Sequence, residues 1–571
     1  MKQTVCLVAV LLLGTQTVAQ STIDYTVTAE VASWTLHTGR VVTAWTYDGT
    51  LPGPALHATE GDTLRVRFTN HLPEGTTIHW HGLPNTIVQD GVPEVCPIVV
   101  EPGQEHTYLL ESLPAGTYWF HPHVGVQIDQ GLYGTLIVDP LVPDPVAQRD
   151  YSIVLDDWRD GAPIIVPSPS YTEYLINGHT SQGQSALMVT QGETVRLRFF
   201  NASAATNYVV AVDQHPMTVI RTDGQRVVPI TKQAIQLGMG ERYDVLLTAN
   251  NPGVWSIAAS SITNRNATMV RAVLAYTGSS NPWPTATYVP PFLATGTLLS
   301  YSQMAAAGPV APISAAPDRV HAMQLSSGTV GGQPAFFING EAFPNVTPLD
   351  VALGENVRFN MVNMTMMVHP MHIHGHFLRL LGTAGGTTAP LVKDTVLVPG
   401  MMGQIDAEIV ADNPGNWVYH CHHIYHAALG MMTLVRYVGS DSDGDGLGDD
   451  VDHDPLGDHP VLALDSLGNG FAIGTSYDVS VQWPAGEHVA FVIGTLLNPP
   501  RPFGPAGDLY VGQRTLLGRA IAGANGIATL NATIPNDPLL VGQRLVIQAM
   551  ATHATLAGGR RLSRHEILTP Q

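Results

Sequence analysis

One strand unit occurs three times in the pattern of apolar and polar positions along the chain. The copies are GDTLRVRFTN at 61–70, GETVRLRFFN at 192–201 and GENVRFNMVN at 354–363. Each is a Gly-acid turn followed by alternating apolar and polar residues, the pattern of a strand with one buried face. A second unit, in which a turn leads into an aromatic-rich strand, follows each copy at 115–123, 252–260 and 414–422. Helical periodicity is hard to find, so the pattern predicts an all-β protein.

The spacing of these units predicts three consecutive β-sandwich domains, at about 20–140, 145–280 and 310–440. A stretch around 281–317, rich in proline, alanine and serine, is interpreted as the linker between the second and third domains. From about 460 to 571, short apolar strands alternate with Gly/Pro turns, which predicts an accessory β-sandwich without a recognisable catalytic constellation. We expect it to attach the protein to a cell surface or to a protein partner.

Composition narrows the class of protein. Only 13% of the 571 residues are charged, against roughly 25% in ordinary soluble domains, which agrees with few surface helices. The 46 acidic and 26 basic residues give a net charge of −20, which disfavours nucleic acid and anionic lipid as partners. A hydrophobic content of 44% excludes a disordered chain.

The amino terminus predicts export. Lys2 precedes an apolar run at 5–13, and small residues at 17 and 19 suit cleavage before Gln20, so residues 1–19 are interpreted as a signal peptide. No later segment has the roughly 18 uninterrupted apolar residues of a transmembrane helix. The mature protein is therefore expected to be secreted or periplasmic. Cys6 leaves with the signal, and Cys96 is expected to be a small core residue.

Histidines occupy the same register in the outer two domains and are missing from the middle one. The residues 18 and 20 positions after the first-unit glycine are His79 and His81 in the first domain, Val210 and Val212 in the second, and His372 and His374 in the third. Counting five and seven residues from the second-unit glycines gives His121 and His123, Ala258 and Ser260, and His420 and His422. Core histidines scattered at random would not follow the repeat.

Four H-x-H pairs result, and each presents two imidazoles about 7 Å apart on one face of a strand. Eight nitrogen ligands without carboxylate or thiolate favour copper over calcium or magnesium. Zinc is chemically possible, but structural zinc sites usually close at four ligands. The pattern therefore predicts a copper cluster built from the first and third domains.

Cys421 predicts a second kind of copper site. It lies between His420 and His422, so its side chain points to the opposite face of the strand. There it can meet His369, His426 and Met431. One thiolate, two imidazoles and a weak thioether form a blue-copper electron-transfer site.

The motifs HWHG (79–82), HPH (121–123), HPMHIHGH (369–376) and HCHHIYHAALGMM (420–432) resemble the four copper motifs of the multicopper oxidases. The resemblance covers about residues 20–440. It implies three cupredoxin-like Greek-key domains, four copper ions and the four-electron reduction of O2 to water. By position, the type 1 ligands would be His369, Cys421, His426 and axial Met431. The type 2 ligands would be His79 and His372, and the type 3 ligands His81, His121, His123, His374, His420 and His422.

Two departures from the family pattern bear on proton supply. His423 follows the HCH motif where an aliphatic residue is common. Its possible roles are a surface-facing tuning residue, a proton path or an incidental polar neighbour of the type 1 site, and we favour the last. Residues 424, 425 and 427 offer no carboxylate for a proton relay. Asp90, in the turn after HWHG, matches an acidic residue that many relatives hold near the cluster. We expect it to supply protons there.

The electron donor is the least determined feature. A laccase-like interpretation, with phenols or aromatic amines as donors, is favoured over a metallo-oxidase that takes electrons from Cu(I), Fe(II) or Mn(II). Thioethers favour Cu(I), but core packing is expected for the methionines near the type 1 motifs. These are Met361, Met364, Met366, Met367, Met371, Met401, Met402 and Met432. A non-enzymatic copper protein is disfavoured because every cluster ligand is retained.

Residues 441–452, DSDGDGLGDDVD, have the spacing of a calcium-binding loop. Its candidate ligands are Asp441, Asp443, Asp445, Asp449 and Asp452, with glycine at the sixth position. Within an Asp-rich linker at 441–459, they predict a Ca2+ site that resembles thrombospondin type 3-like and dockerin-like repeats, and this is favoured over a merely solvated acidic linker.

Overall fold

A computed structural model describes residues 21–439 except Pro97 and Pro143, and farther along the backbone of seven strands between 462 and 568. The predicted signal peptide at 1–19 and the predicted calcium loop at 441–452 lie outside the described residues.

The first domain consists of two four-stranded sheets, in the orders β2-β1-β4-β6 and β3-β8-β7-β5. Its strands are β1 (Thr22–His37), β2 (Arg40–Tyr47), β3 (Ala55–Thr59), β4 (Thr63–Asn70), β5 (His79–His81), β6 (Glu105–Leu110), β7 (Gly116–His121) and β8 (Gly134–Asp139).

The second domain consists of a six-stranded and a five-stranded sheet, in the orders β10-β9-β12-β17-β14-β15 and β11-β19-β18-β13-β16. Its strands are β9 (Arg149–Trp158), β10 (Glu173–Ile176), β11 (Ala186–Val189), β12 (Thr194–Asn201), β13 (Tyr208–Val212), β14 (Met217–Thr222), β15 (Gln225–Lys232), β16 (Ile235–Leu237), β17 (Arg242–Thr248), β18 (Val254–Ser261) and β19 (Val270–Tyr276).

The third domain repeats this arrangement, in the orders β21-β20-β23-β28-β25-β26 and β22-β30-β29-β24-β27. Its strands are β20 (Arg319–Val330), β21 (Gln333–Ile338), β22 (Leu349–Val351), β23 (Asn356–Asn363), β24 (His369–Ile373), β25 (Leu378–Leu380), β26 (Leu391–Lys393), β27 (Thr395–Val398), β28 (Gly403–Val410), β29 (Asn416–Cys421) and β30 (Met432–Tyr437). Two short helices complete the fold, α1 (Pro291–Thr295) before this domain and α2 (Ile424–Ala428) within it.

The repeated sequence unit forms an equivalent strand in each domain. It lies on β4, β12 and β23, and each pairs in parallel with the first strand of its domain, β1, β9 or β20. The alternation of β4 and β23 gives one buried and one more exposed face, whereas β12 is buried along nearly its whole length. The prediction of an all-β fold is confirmed.

The apolar core is continuous between the second and third domains but not throughout the described residues. One cluster of buried side chains runs through the second and third domains, and a separate one fills the first. A smaller cluster joins Trp119 and Trp158 to Ile424 and Tyr425 of helix α2. The segment interpreted as a linker is packed as well, since Leu293 of α1 is fully buried.

The C-terminal part contains two further sheets, in the orders β31-β32-β35 and β34-β33-β36-β37. The strands are β31 (Leu462–Leu464), β32 (Ser476–Gln482), β33 (His488–Pro502), β34 (Asp508–Ile521), β35 (Ile527–Thr533), β36 (Leu545–Ala551) and β37 (Arg561–Leu568).

Candidate copper centres

Cross-strand pairing places the H-x-H motifs opposite each other within each outer domain. His79 on β5 faces His121 on β7, and His372 on β24 faces His420 on β29. Because residues i and i+2 share a face, each strand pair directs its imidazoles toward the same side. In the second domain the repeat count predicts that Val210 faces Ala258. The structure instead pairs Val210 with Ala259, a difference of one residue in register. Neither register places a histidine there.

The eight imidazoles of the four motifs meet between the first and third domains, and we call them the histidine cluster. Ring centroids across the domain boundary lie 3.9 Å apart for His79 and His374 and 3.8 Å apart for His81 and His372. The members are His79, His81, His121, His123, His372, His374, His420 and His422, all buried. Neither outer domain alone could assemble the cluster.

Backbone carbonyls orient four of these rings. The Nδ1–H groups of His79 and His372 donate to the carbonyls of Asp90 and Asp394, both at 3.0 Å. The Nδ1–H groups of His121 and His420 donate to carbonyls of the next residue, also at 3.0 Å. These bonds leave each Nε2 with a lone pair turned inward.

The inward nitrogens fit metal ions. Nε2 of His420 lies 3.1 Å from Nε2 of His374 and 3.5 Å from Nε2 of His123. The Nε2 atoms of His79, His372 and His422 are buried without a hydrogen-bond partner. Buried polar nitrogens are normally satisfied, so a converging set of bare imidazole nitrogens suits a cation that accepts nitrogen ligands.

Two carboxylates support the cluster from opposite sides. Asp90 Oδ2 accepts from Nδ1 of His374 at 2.8 Å, while the Asp90 carbonyl accepts from His79. Asp394 Oδ1 lies 3.2 Å from Nε2 of His81, while the Asp394 carbonyl accepts from His372. Each aspartate therefore holds one histidine of each outer domain.

Burial lowers the pKa of six of the cluster rings and so favours their neutral form. It is the largest cause of the lowered pKa values of His81, His121, His372, His374 and His420, and neighbouring imidazoles lower them further. Burial also lowers the pKa of His422 to about 3. Neutral rings are the form that binds metal.

A second group, the thiolate site, consists of His369, Cys421 and His426. Cys421 Sγ lies 3.5 Å from Nδ1 of His369 and 3.7 Å from Nδ1 of His426, and the two nitrogens are 3.1 Å apart. All three side chains are fully buried. One sulfur and two nitrogens that converge in this way suit a blue-copper ion.

The surroundings of the thiolate site bring in Met431. The N–H of Met431 donates to the His426 carbonyl at 2.9 Å, and the N–H of Cys421 donates to the Met431 carbonyl at 3.0 Å. Met431 is fully buried beside the other three residues. Burial raises the pKa of the Cys421 thiol, so binding of a metal ion there would release a proton.

Three contacts around these sites were not expected from the sequence. His423 is not an incidental neighbour, since its ring stacks on His426 with centroids 3.6 Å apart. Thr365 Oγ1 lies 2.8 Å from Nε2 of His369. The sequence does not indicate that Asp394 contacts His81. Asp394 follows His372 by 22 residues, whereas Asp90 follows His79 by only 11, so the two aspartates do not occupy equivalent positions in the repeat.

The expectation that the nearby methionines fill the core is wrong for half of them. Met361, Met371 and Met432 are buried, as expected, and Met367 is partly buried. Four others are exposed and form what we call the methionine patch. They are Met364 (45% exposed), Met366 (77%), Met401 (70%) and Met402 (56%).

A pocket of about 380 Å³ is lined by residues of the first and second domains. Trp45, Trp158, Asp129 and Arg159 contribute to its lining. Asp129 accepts a hydrogen bond from the hydroxyl of Tyr425, the residue before His426.

Cys96 is buried, as expected for a small core residue. Both α-helices of the described residues have only five residues, and none has the length and apolar character to cross a membrane.

The fold and the two sites define a copper-dependent oxidase, and comparison with known proteins identifies the family. Three models of the multicopper oxidase family match residues 28–142, 150–279 and 315–440. The multicopper oxidase MmcO of Mycobacterium tuberculosis is 34% identical over 441 residues, which cover 70% of this chain and 84% of that protein. The chain belongs to the multicopper oxidase family, whose members use O2 and a reducing substrate.

Two further relatives are a copper resistance protein and a laccase. A copper resistance protein A homolog of Pseudomonas syringae is 26% identical over 542 residues, covering 70% of this chain and 90% of that protein. The crystal structure of a laccase from Botrytis aclada is 28% identical, with a TM-score of 0.63, covering 73% of this chain and 88% of that one. The domains are accordingly cupredoxin-like, and the chain is an oxidoreductase.

Proposed function

We propose that the chain holds four copper ions in the arrangement that its motifs imply. The thiolate site, with Met431 as axial ligand, would hold the type 1 ion. In the histidine cluster, His79 and His372 would hold the type 2 ion, and the other six histidines the type 3 pair. Bound there, copper supplies one-electron transfer from the donor and reduction of O2 to water. The bare, inward nitrogens of the cluster support this assignment.

Cys421 supports electron transfer between the two sites. Its thiol faces the type 1 position, while its chain neighbours His420 and His422 belong to the histidine cluster. A covalent path of one residue therefore joins the sites. Asp90, in contact with His374, is placed to supply protons where O2 is reduced.

We propose Cu(I) as the preferred donor, and the methionine patch is the observation that carries this proposal. The patch lies on two adjacent loops, since the N–H of Met401 donates to the Thr365 carbonyl at 2.7 Å and that of Met402 to the Asn363 carbonyl at 2.9 Å. The hydroxyl of Thr365 contacts His369 of the thiolate site. Met364 and Met366, which carry exposed thioethers, thus flank Thr365 in the chain, and Thr365 contacts a proposed type 1 ligand.

Two properties of the patch favour binding over packing. Soft thioethers select Cu(I) among the candidate donors. Met401 and Met402 have φ values of 60° and 67°, a left-handed backbone that is unfavourable for a residue with a long side chain. Exposed apolar side chains held in that conformation contribute little to the core.

Phenols and aromatic amines are the second candidate donors. The pocket is lined by the partly exposed indole of Trp45, on which an aromatic ring could stack, and by Asp129, whose carboxylate could accept a hydrogen bond. Asp129 connects it to Tyr425 and so to the segment that holds His426. The volume suits a single aromatic ring.

The test is O2 uptake by the copper-loaded protein with Cu(I), Fe(II), Mn(II) and a phenol as donors. Replacement of the four patch methionines by leucine should lower kcat/KM for Cu(I) at least tenfold and leave the phenol rate within about twofold. Met188→Leu, which alters an exposed methionine of the second domain, is the matched control. Equal loss for both donors, or no loss for Cu(I), would contradict the proposal. A phenol kcat/KM above that of Cu(I) would favour the second candidate.

We propose further that the protein is exported, secreted or periplasmic, that residues 441–452 bind Ca2+, and that the C-terminal part attaches to a surface or protein partner. The sequence patterns described above support these proposals. Calorimetric titration of the full chain with Ca2+ should give saturable heat that Asp441→Asn with Asp445→Asn abolishes. Unchanged heat in that variant would remove the calcium proposal.

A further inference from the structure

The second domain contributes no histidine to the cluster, but its loop 238–242 forms part of the cluster's wall. Gly240 in this loop has a φ of +86°. A Cβ added there would lie 3.0 Å from Cε1 of His81 and from Cδ2 of His422. The backbone of the domain without copper ligands therefore contacts two rings of the cluster.

Arg242, at the end of this loop, joins the three domains. Its Nε donates to the carbonyl of Thr117 in the first domain at 3.1 Å, and its Nη1 to the carbonyl of Gly240 at 3.2 Å. In the third domain, Nη1 donates to Oδ1 of Asp394 at 2.8 Å, and Nη2 lies 2.7 Å from Oδ2. The side chain is fully buried, so water does not compete for these contacts.

Asp394 links Arg242 to the histidine cluster, because it contacts both Arg242 and His81. Its Oδ1 lies 3.2 Å from Nε2 of His81, and the other ring nitrogen of His81, Nδ1, lies 3.5 Å from Nε2 of His121. A carboxylate on Nε2 favours the tautomer with its proton there and its lone pair on Nδ1, turned to the cluster. Thr395 Oγ1 also lies 3.2 Å from Nε2 of His81 and donates to Oδ1 of Asp394 at 2.9 Å, so the carboxylate orients His81 both directly and through this hydroxyl.

A guanidinium is the group that can fix the direction of this carboxylate. Its planar group donates a hydrogen bond to Oδ1 of Asp394 and places a second amino nitrogen beside Oδ2, which restricts the plane of the carboxylate as well as its position. An ammonium would keep the charge but not the plane. Gly82 leaves space for the pair, since a Cβ there would lie 2.3 Å from both Nη2 of Arg242 and Oδ2 of Asp394.

Buried charges behind the pair keep it in place. Lys393 lies 3.0 Å from Asp223 and 2.9 Å from Glu241, and Asp223 lies 3.7 Å from Arg242. All these side chains are fully buried. They belong to the second and third domains, so the pairing also fixes the two domains against each other.

We infer that Arg242 is a positioning residue for the histidine cluster, which it orients through Asp394 and His81. The second domain, although it lacks copper ligands, then takes part in O2 reduction. This inference rests on the proposed assignment of His81 as a copper ligand.

The test compares copper-loaded Arg242→Lys with Arg198→Lys and the unmodified protein. Arg198 is the matched control, because it is a buried arginine of the same domain that binds Asp150 and the hydroxyl of Thr117 without contacting the cluster. We expect Arg242→Lys to keep the blue type 1 band per protein. Its type 3 near-ultraviolet band should decrease and its type 2 electron paramagnetic resonance signal should change. Reoxidation by O2 should slow at least tenfold, while Arg198→Lys changes none of these.

Arg242→Lys with the cluster spectra and reoxidation rate of the unmodified protein would overturn the inference. The same losses in Arg198→Lys would also overturn it, because they would reflect general damage to the second domain. If Arg242→Lys does not fold, Asp394→Asn, which keeps the side-chain size, is measured in the same way. Unchanged cluster spectra in that variant would be equally contradictory. Absence of type 2 and type 3 signals from the unmodified protein would instead refute the copper assignment itself.

Discussion

At the scale of single residues, Asp90 makes two different contacts with the histidine cluster. Its carbonyl orients His79 and its carboxylate accepts from His374. Asp90→Asn removes the charge and leaves the carbonyl in place. We expect O2-dependent reoxidation to slow about 10–100-fold, the usual effect of losing a group that supports a metal ligand.

Stopped-flow spectroscopy separates this effect from the entry of electrons. Reduction of the type 1 copper by the donor should proceed at the normal rate in Asp90→Asn, because the thiolate site is intact. Rapid reoxidation of that variant would show that Asp90 does not supply protons.

His423 makes stability depend on pH. Burial lowers its pKa to about 3 from 6.5, so between these values the unfolded chain takes up a proton that the folded one does not. Stability from this group is therefore present above pH 6.5 and lost as the pH falls. When the pH falls from 7.5 to 5, the unfolding free energy of the copper-free protein should decrease. This decrease should be about 1–2 kcal/mol smaller for His423→Gln than for the unmodified protein.

The measurement is denaturant unfolding at the two pH values, followed by tryptophan fluorescence. His57→Gln removes an exposed imidazole and is the control. If His423→Gln and the unmodified protein lose the same stability, His423 is not held neutral by burial.

The histidines and the cysteine that the structure brings together could be picked out from the sequence because their spacing is local. H-x-H pairs and the H-C-H segment lie within single strands, where periodicity decides which side chains share a face. Asp394 and Arg242 could not be found in this way. Asp394 meets His81 across 313 residues of chain and Arg242 across 152, contacts that depend on how complete domains pack.

At the scale of elements, the short helix α2 connects the thiolate site to the first domain. Tyr425 donates from its hydroxyl to Asp129, and His426 follows it on the same turn. Tyr425→Phe leaves the buried carboxylate with one donor fewer. It should therefore lower the unfolding free energy by about 1–3 kcal/mol.

Thermal unfolding of Tyr425→Phe should show this loss, with the blue band still present in the folded protein. Tyr288→Phe, which removes a tyrosine–aspartate hydrogen bond from the segment after the second domain to Asp213, should cost less because Tyr288 is exposed. Equal losses in the two variants would mean that α2 is not specially anchored.

The strand repeat could be predicted because alternation and turn residues recur in each domain. The register of the middle domain could not, since Val210 faces Ala259 where counting gives Ala258. Strands of that domain such as β12 and β13 are buried along nearly their whole length, so alternation gives little information about register there. The methionine patch was missed for a related reason: the sequence does not reveal that loops 363–367 and 399–403 meet at the surface.

At the scale of the whole molecule, the histidine cluster draws its ligands from the first and third domains, so copper should couple their unfolding. Ligands that bind only the folded state stabilise it. Calorimetry should show a lower and broader transition for the copper-free protein and a single higher one after copper loading. Identical profiles would indicate that copper does not join the domains.

The central claim is that the chain carries a type 1 copper at Cys421 and a separate three-copper cluster. Copper analysis and absorption spectroscopy of Cys421→Ser test it most directly, with Cys96→Ser as the control for a buried cysteine. We predict three copper ions per chain, no intense blue band and no donor oxidation for Cys421→Ser, against four ions and a blue band for the control. A blue band retained in Cys421→Ser, or a full complement of copper with normal oxidation, would contradict the claim.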